Sequence, residues 1–78
     1  MSQPTIRTEI RLQLLRAEDR LRAATDEVAN AIEALDRGDT WDQHAGSARL
    51  EMNIASEQLQ TARGMAMVAS LPIGSHLR

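Results

Sequence analysis

Apolar residues recur through the first half of the chain at Ile10, Leu14, Ala17, Leu21, Ala24, Val28, Ala31 and Leu35, four and three residues apart without a break. A helix returns side chains to one face on that spacing, whereas a strand would scatter them over both faces. A second run repeats the pattern at Trp41, Ala45, Ala48, Met52, Ala55, Leu59, Ala62, Ala66 and Ala69. Two heptad seams on so short a link are expected to fold against each other. The link is Asp36-Arg37-Gly38-Asp39-Thr40-Trp41. Gly38 suits the left-handed residue that ends a helix. Thr40, with Gln43 three residues on, reads as a capping box for the next helix, and Asp39 is an alternative cap.

The expected fold is all-α: one antiparallel two-helix hairpin with an Ala-rich heptad seam. Helix 1 is expected over about 5–37, the turn over 38–40, helix 2 over about 41–70 and a tail over 71–78. Thr5 or Ser2 would cap the first helix, and Leu71-Pro72 would end the second. Folding at Gly38 pairs Leu35 with Trp41, Ala31 with Ala45, Val28 with Ala48 and Ala24 with Met52. It then pairs Leu21 with Ala55, Ala17 with Leu59, Leu14 with Ala62 and Ile10 with Ala66. Six of these eight layers set a large residue against an alanine. That alternation predicts interdigitated layers and closely approaching axes. Trp41 is expected to close the turn end of this core by packing on Leu35, with an exposed anchor for a partner as the alternative.

Two helices enclose only one row of side chains, and a chain of 78 residues with no cysteine has no disulfide to add. Self-association, with a twofold dimer forming a four-helix bundle as the simplest case, is the expected remedy. Apolar residues left off the seam include Leu12, Leu15, Met65, Met67, Val68 and Leu71, most of them far from the turn. They predict an apolar, partner-binding patch at the open end.

Charge divides along the same axis. Residues 26–42 hold six acids against Arg37, a net of −5. Residues 1–22 hold five arginines against three acids, and residues 58–78 add Arg63 and Arg78 with no acid, so the open end is about +4. All nine basic residues are arginine. Genome composition explains that usage, and so does a need for guanidinium forks on carboxylates or phosphates. On the second explanation, Arg11, Arg16, Arg20 and Arg22 are the candidate anion-binding residues.

Catalytic and metal chemistry find little support. His44 and His76 are the only histidines, neither has a second ligand at helical spacing, and the glycines are isolated. No catalysis, metal or cofactor is expected. No stretch reaches the ~18 apolar residues of a membrane span, and Met1-Ser2-Gln3-Pro4-Thr5 lacks the form of a signal peptide. A cytoplasmic protein without a membrane partner is therefore expected.

Two stretches resemble known families. Ala62-Arg63-Gly64-Met65-Ala66-Met67-Val68-Ala69-Ser70-Leu71 is similar to the small-apolar end of the second helix in the hairpin co-chaperones of bacterial type III secretion needles. The run from Glu51 through Met52, Asn53, Ile54, Ala55, Leu59, Ala62 and Met65 to Ala66 resembles the second helix of phage hairpin proteins that sequester cyclic oligonucleotide immune signals. That family has Thr-Lys where this chain has Glu57-Gln58, and Trp where it has Met65. The architecture is also similar to plasmid-encoded hairpin dimers that bind RNA, a likeness that would set the four arginines on phosphates. The acidic turn end opposes a large nucleic acid. The functional expectation is a small non-catalytic protein-binding adaptor or inhibitor, working through its apolar, Arg-bearing open end. The alternatives are sequestration of a small anionic ligand, a co-chaperone-like or RNA-binding hairpin, and a structural oligomerisation module.

Overall fold

The computed structural model describes residues 3–69, with side chains from residue 5 onward. Two helices, α1 (Gln3–Arg37) and α2 (Asp42–Val68), pack along each other as a hairpin. The α1 start lies two residues ahead of the expected position. Pro4 falls in its first turn, where a missing amide hydrogen interrupts no helical bond. The expected tail and Leu71 lie outside the described residues.

The turn ends α1 as the sequence predicts. Gly38 has φ = 79°, and two backbone bonds close the helix around it: Asp39 N–H to the Ala34 carbonyl at 2.8 Å and Gly38 N–H to the Leu35 carbonyl at 3.1 Å. That pair is a Schellman motif. The capping box at the start of α2 does not form. Trp41 occupies the cap position, no side chain caps the helix, and the Trp41 carbonyl accepts the first helical bonds from His44 and Ala45. The helix begins one residue later than Thr40 requires. The Asp39 carboxylate turns back to Arg37 at 3.1 Å instead of capping α2.

The core is made of alanine. Among the described residues, Ala17, Ala24, Ala34, Ala48, Ala55, Ala62 and Ala66 are the buried hydrophobic ones, at 1–7% exposure, and no large side chain is fully buried. The expected layers of large against small are therefore corrected. The axes approach on alanine methyls, and the large seam residues splay to one side because the gap has no volume for them. Trp41 shares this fate: it is exposed beside Leu35 and closes no core. The expected register does show in shared grooves. Leu35 with Trp41 and Ala31 with Ala45 line one, and Ala24 with Met52 line another. Ala34, outside the seam, is buried where the chain doubles back.

Candidate functional site

The splayed side chains sort the hairpin into two unlike faces. On one lie Leu14, Leu21, Val28, Ile32 and Leu35 from α1 and Trp41, Met52 and Leu59 from α2, all 44–59% exposed. Two shallow apolar grooves run along it. Val28, Ala31, Ile32, Leu35, Trp41 and Ala45 line the one nearer the turn, and Leu21, Ala24, Thr25, Val28 and Met52 the one at mid-length. From Leu14 to Leu35 the face is roughly 30 Å long and two helices wide, on the order of 600 Å². That equals the largest apolar patch usual on a soluble monomer.

The opposite face is polar and ties the helices together. Arg20 meets Glu51 at 2.9 Å, and the His44 ring nitrogen Nδ1 lies 2.9 Å from Glu27 Oε1. The two clasps stand one heptad apart on both helices. One heptad further from the turn, Gln13 and Gln58 occupy the matching positions, half-buried, and Gln58 Oε1 is buried without a partner. Hydrogen bonding to His44 holds the Glu27 carboxyl below its ordinary value, helped by Asn30 and by the charge of His44, while burial acts the other way.

The candidate anion-binding arginines do not converge. Arg22 pairs with Glu18 at 3.1 Å and Asp19 at 3.8 Å. Arg16 and Arg20 line one shallow pocket with Asp19, Ala23 and Gln58, but Arg20 is already held by Glu51, and the Asp19 carboxylate would repel an anion there. Arg11 is exposed outside that pocket.

Nor are the apolar residues of the open end gathered into one patch. Leu12, about one turn before Arg16, and Met65, about two turns beyond Gln58, join the polar face. Met67, five residues from buried Ala62, lies exposed on the outer side of α2. Leu15 is nine residues from buried Ala24, about two and a half turns, and so points away from α2. Val68 is 89% exposed at the end of α2, and Leu71 lies outside the described residues.

The seam itself supplies the contiguous surface, a feature the heptad reading assigned to the interior. The signal was present in the sequence. In each helix one heptad position holds most of the large seam residues (Leu14, Leu21, Val28, Leu35; Met52, Leu59), while the other is alanine (Ala17, Ala24, Ala31; Ala48, Ala55, Ala62) apart from Ile10 and Trp41 at its ends. Among the described residues no helix is long and apolar enough to cross a membrane, and no group of three or more potential ligands could hold a metal ion. Compared with known proteins, the chain matches no family model, no curated protein and no solved structure.

Proposed function

We propose that this chain is a non-catalytic protein-binding module whose working surface is the long apolar face of the hairpin. One observation carries the reading: eight large apolar side chains lie half-exposed on one side, opposite a face clasped by Arg20–Glu51 and Glu27–His44. Leaving such a face in water wastes the association free energy of its apolar area, ~25 cal/mol per Å². Leu, Val, Met and Trp side chains on a gently grooved helical surface suit a second helical surface, whose ridges enter the grooves. A small polar ligand would find no enclosing cavity there.

A photo-crosslinking side chain placed at Val28, in cells that produce the protein, tests this reading. Leu50, exposed but five residues from buried Ala55 and off the apolar face, serves as the control position. Crosslinks to a polypeptide at Val28, and few at Leu50, are expected. No polypeptide adduct at Val28, or equal yields at both positions, would overturn the proposal.

A further inference from the structure

We infer that the occupant of the apolar face is a second copy of this chain, turned end for end about a twofold axis that crosses both helices near Ala24–Thr25 and Met52. The inference rests on the functional reading above and gives that surface its partner.

The face is self-complementary about that line. Leu14, Leu21, Val28 and Leu35 are spaced symmetrically about the midpoint between Ala24 and Thr25. Ala45 and Leu59 lie seven residues to either side of Met52. The two midpoints are level, because Ala24, Thr25 and Met52 line the same mid-length groove. Turning one copy over therefore sets Leu14 over Leu35 of the other copy, Leu21 over Val28 and Leu59 over Ala45. The Met52 side chains meet at the axis, where an unbranched thioether adapts to the groove. Thr25 is the polar residue of α1 at the centre, and its hydroxyl already donates to the Leu21 carbonyl at 3.0 Å, so covering it strands no donor; on α2, Ser56 and Arg49 flank Met52, one and two heptads before Arg63.

Charge selects the orientation. A twofold axis along the hairpin would also stack the faces, but it would bring two turns together, each within a segment of net charge −5. Turning the copies end for end sets each acidic turn against the other's open end. There the described residues hold Arg7, Arg11, Arg16, Arg20, Arg22 and Arg63 against Glu9, Glu18 and Asp19, a net of +3. Symmetry about Met52 sets Arg63 over Trp41 of the other copy and beside Asp42, a cation over an indole with a carboxylate at hand.

The apolar face, on the order of 600 Å² before its polar rim is counted, supplies most of the ~800 Å² that each partner gives to a standard interface.

Single cysteines read the arrangement directly, because the chain has none of its own. Thr25→Cys places a thiol on the face at the axis, within disulfide reach of its mate in the end-for-end dimer. With the turns together, the same thiol lies over α2 of the other copy and out of reach. Thr40→Cys, in the turn, reports the reverse. Sedimentation is expected to give twice the chain mass, and mild oxidation to link Thr25→Cys into a dimer while leaving Thr40→Cys largely unlinked. Arg63→Glu is expected to raise the dimer dissociation constant several-fold. Linking through Thr40→Cys with none through Thr25→Cys overturns the orientation, and an unchanged constant in Arg63→Glu overturns the register. A monomer at every concentration overturns the inference. If Val28 then still crosslinks a different polypeptide, the functional reading survives alone; if it crosslinks nothing, both fall.

Discussion

Gly38 holds a backbone angle that side-chain-bearing residues avoid, and nothing lies within 4 Å of where a Cβ would stand. Substitution there meets backbone strain and no collision. Gly38→Ala is expected to cost about 1–2 kcal/mol in chemical denaturation, and Gly38→Asn less, because asparagine tolerates the left-handed region. Equal stability of all three would contradict the Schellman geometry. Ala55, 1% exposed, tests the alanine core from the other direction. Ala55→Leu has no gap to enter and is expected to cost about 1–3 kcal/mol, read as a lowered melting temperature. An unchanged melt would mean that the axes do not approach on that residue. Glu27 gives a pH signature. Its folded-state carboxyl sits below the ordinary 4.5, so the unfolded chain binds the proton more readily. The stabilisation is fully present above pH about 4.5 and is lost as pH falls through the folded value. Glu27→Gln should therefore flatten the acid limb of a thermal-stability profile, and identical limbs would show that the pair contributes nothing.

At the scale of the helix, the sequence showed some things plainly and hid others. The uninterrupted 4-3 spacing from Ile10 to Leu35 established α1, and Gly38 marked its end, because both depend on local geometry alone. The start of α2 was misplaced by Thr40 and Gln43, whose capping pattern is local too. Trp41 lines the groove nearer the turn together with Val28, Ile32 and Leu35, and its helix begins one residue later. Seam membership did not reveal which seam residues would be buried. That depends on the distance between the axes, and the distance follows from alanine filling one heptad position on both helices. The polar clasps were hidden for a related reason: Arg20–Glu51 and Glu27–His44 join residues far apart in sequence, at flank positions a seam analysis does not inspect. Gly46 and Gly64 each lie nine residues from Ala55, about two and a half turns, and so on the outer side of α2 with open space around them. Neither is needed for close approach. Gly46→Ala and Gly64→Ala are each expected to stabilise by about 0.5–1 kcal/mol through helix propensity. Destabilisation by either would show that something packs on that side.

Taken whole, the hairpin is a single layer. Its radius of gyration is 16.6 Å, where a compact chain of its length would have about 11.5 Å. Such a layer has two broad sides, and here one is apolar and the other polar. This asymmetry connects the alanine core to the proposed function. Close-packed alanines push the leucines, Val28 and Met52 outward, and the cover proposed for that surface is another helical layer. The candidate site was legible in the sequence only in part. Association is an expectation from chain length and the absence of disulfides, and its place was expected at the open end, where Leu12, Leu15, Met65, Met67 and Val68 do not share one side of the hairpin. Trp41, the one aromatic residue, lies within the face and reports on its cover. The central claim is that a second copy covers that face, and acrylamide quenching of Trp41 fluorescence tests it most directly. The wild-type protein is compared with a Leu21→Glu, Leu59→Glu variant over a dilution series, with helicity checked in parallel. Slow quenching in concentrated wild type, rising on dilution toward the fast quenching of the variant, is the result predicted. Fast and equal quenching of both helical proteins at every concentration would contradict it.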